Sequence, residues 1–351
     1  MTSTVLVVDG PFEAGTDLVM EGLSSSDIPV FRMDTADFPH ELELRAHNVD
    51  GQWVGTLSNK HRSIALADIT AVYWNRPSLF QFPELSESDA HWARGAARIG
   101  LGGVLMSLAA RWMNHPSRAS AAEFKPQQLR TARSMGLVTP RTLITNSADE
   151  VRVFAEGIDV PLITKPLGTP HVAHCRGSET MYTREVDLDA LGGVELTAHL
   201  FQERVPKQYE VRLILVGDTC HSVKIKAHSE AARMDWRSDY DALEYEPIET
   251  PADVVNGVRG YMARLALTYA AMDFIVQPNG QWTFLEANPS GQWAWLNSPE
   301  IPLVPVLRFR GGLGPVIRRI GGPGAPGMAQ CLSPSDGSRN LAARSPRRLD
   351  R

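Results

Sequence analysis

Asp273, Glu286 and Asn288 are spaced so that one short hairpin would bring two carboxylates and an amide together. They end or flank two β-like runs, Asp273-Phe-Ile-Val-Gln-Pro and Gln-Trp-Thr-Phe-Leu-Glu286, around the turn signal Asn279-Gly280. With Asn279 and Gly280 as the central turn residues, Pro278 faces Gln281 and Asp273 lies opposite Glu286. Their Cβ atoms would then be roughly 4.5–5.5 Å apart. Asn288 is two residues beyond Glu286 and shares its face of the strand. Facing carboxylates repel unless a cation lies between them or one keeps its proton. Three hard oxygen ligands on one wall suit Mg²⁺, which takes one or two carboxylates and substrate phosphates. The competing reading is a surface hairpin whose acids face each other by coincidence.

Other residues could complete such a site. Lys165 closes the apolar run Pro-Leu-Ile-Thr-Lys, where a lysine needs an anionic partner, and a phosphate would serve. Lys125 begins a helix, which means little alone. Gln202, Glu203, Arg204 and Val205 end a strand at Pro206, where exposed backbone could meet an adenine edge. An ordinary strand end is the plain alternative. Glu210 and Arg212 share a face by alternation. Lys224 and Lys226 lie on the partner strand, on the opposite face from Arg212 if the Gly217-Asp218 turn is strict, and on the same face if a bulge intervenes. Trp74 and Arg76 follow an N-terminal strand, the usual place for a ligand-facing loop.

The elements around these residues alternate in type. Val5–Val8, Ile28–Arg32 and Ile69–Trp74 read as strands, Gln52–Leu57 with Ser63–Leu66 as a hairpin, and Ser88–Trp112 as a long helix. A helix over Ser120–Gly136 must start nearer Phe124 or kink at Pro126. Thr142–Thr145, Pro161–Pro166, Leu200–Arg204, Tyr209–Val216 and Thr219–Ala227 are further strands. Ser147-Ala-Asp-Glu150 opens a helix as a capping box, and another helix runs from Ala252 to about Ala271.

Composition bounds the function. With 43% hydrophobic and 21% charged residues in 351, the chain reads as a soluble globular protein of two or three subdomains. No apolar run nears the roughly 20 residues of a membrane span, and the start lacks a signal-peptide layout. Cysteines 175, 220 and 331 form no CxxC pair. A cytoplasmic protein is the simplest expectation. The net charge of −5 argues against a nucleic-acid binder, although nine arginines from Arg308 onward make the tail basic. No GxGxxG follows the first strand, and no P-loop, HExxH or GxSxG occurs. His171, His174 and Cys175 resemble a metal cluster only superficially.

In order, Lys125, Gly-Leu-Val-Thr-Pro140, Thr-Lys165-Pro, Gln-Glu203-Arg-Val, Glu210-Val-Arg212 and Met-Asp273-Phe…Leu-Glu286-Ala-Asn288-Pro form one plan. It resembles the ATP-grasp superfamily, and closely its ribosomal-peptide maturases, the graspetide (microviridin-type) synthetases. The motifs span about residues 1–300, and Trp-Asn-Arg-Pro77 with Asn-Pro-Ser-Gly-Gln-Trp293 favours the maturase branch. The resemblance implies a mixed α/β and α+β ATP-grasp fold. Its parts would be an N-terminal α/β (pre-ATP-grasp) domain at 1–115, a small central subdomain at 116–195 and a C-terminal antiparallel-sheet subdomain at 196–310. The tail, 311–351, is expected to be disordered.

The resemblance also implies roles. Lys125 and Lys165 would hold ATP phosphates, Gln202 to Val205 the adenine and Glu210 the ribose. Asp273, Glu286 and Asn288 would ligate two Mg²⁺ ions, and Arg212 would face the reacting carboxylate or its acyl phosphate. Trp74, Arg76, Lys224 and Lys226 are candidates for substrate contact. The partner would be a ribosomal precursor peptide, leader plus core, whose Asp or Glu side chains are joined to Ser, Thr or Lys. No nucleic acid or membrane is implied, and a homodimer or higher homo-oligomer is left open. The rivals are a carboxylate–amine ligase using free amino acids or adding glutamate to a protein, and a non-catalytic ATP-grasp protein that binds peptide or nucleotide. Two departures stand out: Gly168-Thr-Pro-His171 lacks a glycine-rich run, and Pro299, Pro302 and Pro305 interrupt an expected C-terminal helix.

Overall fold

The computed structural model describes residues 3–168, 171–174, 177–299, 301 and 303. The expected disordered tail at 311–351 lies outside them, as do Thr169 and Pro170 of the loop without a glycine run. The first strands are β1 (Thr4–Asp9), β2 (Val30–Met33), β3 (Leu42–Val49), β4 (Gln52–Asn59), β5 (Ser63–Ala65), β6 (Ile69–Asn75) and β7 (Arg111–Met113), with helices α1 (Ala14–Ser24) and α2 (Glu87–Met106). A parallel sheet runs in the order β2-β1-β6-β7, while β3, β4 and β5 form a separate antiparallel sheet. The parallel sheet is buried on both sides, so β1 reads as an unbroken apolar run and not as an alternation.

Helices α3 (Pro116–Ala122) and α4 (Lys125–Ser134) follow, then β8 (Thr142–Thr145), α5 (Ala148–Glu156), β9 (Leu162–Lys165), β10 (His171–His174), β11 (Gly177–Thr180), β12 (Arg184–Glu185) and β13 (His199–Glu203). A small sheet has the order β12-β9-β13-β8, and β10 pairs with β11. Thus β13, expected with the C-terminal part, lies inside the central sheet. The last elements are β14 (Tyr209–Val216), β15 (Thr219–Ala227), α6 (Glu230–Met234), β16 (Leu243–Ile248), α7 (Ala252–Leu265), β17 (Tyr269–Val276) and β18 (Trp282–Asn288). They build an antiparallel sheet in the order β16-β15-β14-β17-β18.

Alternation gives this sheet two unlike faces. Val211, Leu213 and Leu215 of β14 pack with Val258 and Tyr261 of α7. Ile214 and Val216 point the other way, toward Val5, Val7 and Tyr73 of the N-terminal sheet. Glu210 and Arg212 belong to this second face, so its apolar half docks on the N-terminal sheet and its charged half does not.

Several expected boundaries move. The helix expected to reach Trp112 ends at Met106, where Ser107 donates its N–H and hydroxyl back to Gly103 O. Arg111–Met113 instead extends the parallel sheet beside β6. The helix expected over Ser120–Gly136 is two helices, with Phe124 between and Pro126 in the first turn of α4, where its missing N–H costs nothing. The helix begun at Ala252 stops at Leu265 because Ala266 adopts a left-handed φ of 52° and the following residues pair with β14. Strands β3 and β16 were not expected. Among the described residues no helix is long and apolar enough to cross a membrane.

Buried Asn114 joins the N-terminal sheet to the C-terminal one. Its Nδ2 donates to Tyr269 O at 2.7 Å and Pro289 O at 2.8 Å, and its Oδ1 accepts from Thr268 N at 2.7 Å and Tyr269 N at 3.1 Å. Removing it leaves several buried backbone groups unpaired, at about 1–3 kcal/mol for each group not rescued by water. Asn114→Ala is therefore expected to lower stability by about 2–3 kcal/mol in urea unfolding. An unchanged midpoint and slope would show that Asn114 does not hold the two sheets together.

Candidate functional site

The hairpin carrying Asp273 and Glu286 reaches the expected pairing by an unexpected route. Its loop has three residues, Pro278, Asn279 and Gly280, closed by Gln277 N–H to Gln281 O at 2.9 Å, with Gly280 at φ 83°. This shifts Ile275 opposite Thr283, one residue from a strict two-residue turn. A bulge at Leu285 then restores the register, so Asp273 faces Glu286 and Ala271 faces Asn288. The two displacements cancel where the acids lie.

Each acid has a cation. Lys125 Nζ lies 2.5 Å from Glu286 Oε2. One Arg212 nitrogen donates to both Asp273 oxygens, at 2.8 and 2.9 Å, and the other terminal nitrogen donates to Gln292 O at 2.9 Å. The Nε–H of Arg212 is buried and has no partner among the described residues. Asn288 Nδ2 lies 3.5 Å from Glu286 Oε1, so half a turn of the amide would put its oxygen beside the carboxylate.

Burial and neighbouring charge set the protonation states. Burial pushes Asp273 upward, and Arg212 only partly offsets this. Burial acts on Glu286 in the same sense, but Lys125 and then Lys165 outweigh it and hold this carboxyl far below its usual range. Burial also lowers Lys165, to about 8, against the opposing pull of Glu286. Burial alone would lower Arg212, yet Asp273 holds it above the ordinary arginine value. Facing acids are thus kept unequal by the placement of two cations.

Two cavities meet at these groups. The smaller has a volume of about 70 Å³ and is lined by Ile163, Gln202, Glu203, Val205, Glu210 and Ile275. The larger has a volume of about 950 Å³ and is walled by Trp74, Arg76, Lys125, Arg212, Asn288 and Trp295. Lys165, Asp273, Glu286 and Arg237 line both. Within the smaller cavity Gln202 is held by Thr142 at 2.8 Å, and Glu210 is paired with Lys207. Burial raises Glu210 despite that lysine. In the larger, Arg76 donates to Ser290 O at 2.8 Å, tying the N-terminal wall to the loop after β18.

Three candidates lie elsewhere. The β14–β15 turn is strict, placing Arg212 opposite Val223 and Val211 opposite Lys224. Lys224 and Lys226 therefore sit on the other face, paired with Glu246 and Glu244. The side chain of Arg204 pairs with Glu185, and its N–H donates to Pro161 O at 2.8 Å.

Arg237 is the residue the sequence did not reveal. It lies in a short 3₁₀ turn, Trp236–Ser238, and Asp235 grips it with two hydrogen bonds of 2.9 Å. Asp235 and Arg237 are only two positions apart in an irregular stretch, where no periodicity marks them. The site thus offers four cations around two acids. Its hard oxygen donors, Asp273, Glu286 and the Asn288 amide, fit Mg²⁺.

Comparison with known proteins follows the same lines. Residues 12–120 match the MvdD pre-ATP-grasp domain family. A RiPP-associated ATP-grasp ligase of Chryseobacterium gregarium, in complex with ADP and a leader and core peptide, is similar with a TM-score of 0.79 and 25% identity over 86% of this chain and 94% of that one. Macrocyclase MdnC of Microcystis aeruginosa MRC, bound with precursor peptide MdnA, gives 0.76 and 26% over 86% and 97%. Macrocyclase MdnB of the same organism gives 0.71 and 26% over 86% and 96%. No curated protein matches the chain by sequence.

The depressed Lys165 is directly measurable. Competitive acylation across a pH series should show Lys165 half-titrated near pH 8, since burial opposes its charged form. Titration near the ordinary lysine value of about 10.4 would contradict the burial described for it.

Proposed function

We propose that this ATP-grasp ligase, built like the RiPP macrocyclases, activates Asp or Glu side chains of a ribosomal precursor peptide. It then joins them to Ser or Thr hydroxyls or Lys amines. The observation that carries this reading is the junction itself. A narrow cavity walled by Gln202, Val205 and Glu210 and a larger, partly aromatic cleft share Lys165, Asp273, Glu286 and Arg237.

Each residue then has a role. Gln202, Glu203 and Val205 bound the adenine, with Arg204 shaping the strand end from outside, and Glu210 meets the ribose. Lys125, Lys165 and Arg237 stand around the phosphates, so that phosphoryl transfer is aided mainly by position and charge. Asp273, Glu286 and Asn288 would hold Mg²⁺, two ions on this reading. The bound metal supplies charge neutralisation on phosphate oxygens. Lys125 is then free to leave Glu286 for a phosphate, as a point charge on a flexible stem.

The step balances without a protein nucleophile. A donor carboxylate oxygen of the peptide attacks the γ-phosphorus, the bond to ADP breaks, and an acyl phosphate forms. Arg212, held in place by Asp273 and lining the larger cavity, would set a fixed positive charge beside that anion. An acceptor hydroxyl or amine next attacks the carbonyl carbon, phosphate departs and the acceptor proton is lost. The peptide sheds one water per link. Trp74, Arg76 and Trp295 wall the cleft in which a peptide segment would lie.

The test is mass spectrometry of a candidate precursor, rich in Thr and Asp or Glu and encoded beside this gene, after incubation with enzyme, ATP and Mg²⁺. The expected product is lighter by one water mass per crosslink. ATP turnover with free amino acids and no peptide dehydration would replace this reading with an amino-acid ligase. Glu286→Gln should cut turnover on the order of 10²-fold or more while the far-ultraviolet circular dichroism stays unchanged. A variant retaining wild-type rates would exclude Glu286 from the reaction centre.

A further inference from the structure

β18 is the edge strand of its sheet, yet its outer side is not left to solvent. Near the loop, Phe284 N–H donates to Val138 O at 2.8 Å. At the other end a side chain does the same work. Gln128 Oε1 accepts from Ala287 N–H at 3.0 Å, and Gln128 Nε2 donates to Ala287 O at 2.8 Å. The amide thus pairs with both backbone groups of one residue, as a neighbouring strand would. A third bond, from Nε2 to Ala122 O at 2.7 Å, fixes the amide to the end of α3. Gln128 is 2% exposed, so these bonds compete little with water.

Ala287 is the residue between Glu286 and Asn288. Holding its N–H and C=O fixes the two peptide planes that flank it, and therefore the directions in which both neighbouring side chains leave the strand. The need is local: the bulge at Leu285 interrupts the ladder just before Glu286. Gln128 also stands one helical turn after Lys125 on α4, so a single helix supplies the cation on Glu286 and the clamp on its backbone.

We propose that Gln128 is a positioning residue, replacing a neighbouring strand at Ala287 so that Glu286 and Asn288 present their oxygens together. This rests on the reading of Glu286 and Asn288 as holders of a divalent cation. It assigns no contact between Gln128 and substrate or nucleotide.

The experiment compares binding of Mn²⁺ in the presence of ADP, followed by electron paramagnetic resonance, in wild type, Gln128→Met and Glu286→Gln. ADP affinity in EDTA is measured alongside. Gln128→Met keeps the side-chain length and removes all three bonds. It should weaken Mn²⁺ binding about tenfold, as loss of groups that orient metal ligands commonly does, and leave metal-free ADP affinity unchanged. Wild-type Mn²⁺ affinity in Gln128→Met, with only a lower melting temperature, would reduce Gln128 to a packing role and overturn the proposal. If Glu286→Gln also bound Mn²⁺ normally, the metal reading itself would fail, which separates the two. Should Gln128→Met not fold, Gln128→Glu carries the same comparison. It keeps the acceptor for Ala287 N–H and turns an oxygen toward the carbonyls of Ala122 and Ala287, so weakened Mn²⁺ binding supports the proposal and normal binding contradicts it.

Discussion

The structure depends on a pair of carboxylates facing each other across two buried strands. A lone buried carboxylate gives up its charge, and two together resist ionisation more strongly still. Here Arg212 lies on Asp273 and Lys125 on Glu286, so charges that would otherwise drive the strands apart are compensated. Such compensation requires elements from distant parts of the chain to meet. Lys125 comes from a helix 161 residues before its partner, and Arg212 from the adjoining strand. The packing of α4 against β18 is thus a condition for the electrostatics.

The two faces of the C-terminal sheet divide the work. One buries apolar side chains against α7, while the other is apolar where it meets the N-terminal sheet and charged where the cavities open. The charged region therefore begins where the docking of two sheets ends, and the N-terminal residues Trp74 and Arg76 reach its rim. Gly291 makes a further close approach possible. A Cβ there would lie 2.9 Å from an Arg212 nitrogen and 2.5 Å from the Ala271 Cβ, so any larger residue would displace the guanidinium.

Much of this was legible in the sequence, though unevenly. Strands β14 and β15 were placed to the residue, because β14 carries a long apolar run and Gly217-Asp218 marks the turn between them. The ends of α2 and α7 were not, since Met106 and Leu265 stop at capping and sheet pairing that no 3.6-residue period reports. The pairing of Asp273 with Glu286 was anticipated from a two-residue turn; the actual loop is longer and a bulge at Leu285 compensates. Bulges depend on tertiary fit and leave little local signal. Arg237 and Gln128 were missed for related reasons: the first lies in an irregular segment, and the second acts through the backbone of a residue 159 positions away. Lys224 and Lys226 show the converse, an ambiguity of face that only the register of one turn resolves.

On the proposed reading, Asp273, Glu286 and Asn288 form the cation-holding wall at the junction of the two cavities. Crystals of the protein grown with ADP and Mn²⁺, with data collected at the manganese absorption edge, test it most directly. The expected result is an anomalous peak coordinated by oxygens of Asp273 and Glu286, beside the ADP phosphates. Lys165 should be turned toward those phosphates. A nucleotide bound elsewhere, or manganese with no ligand from either carboxylate, would contradict it.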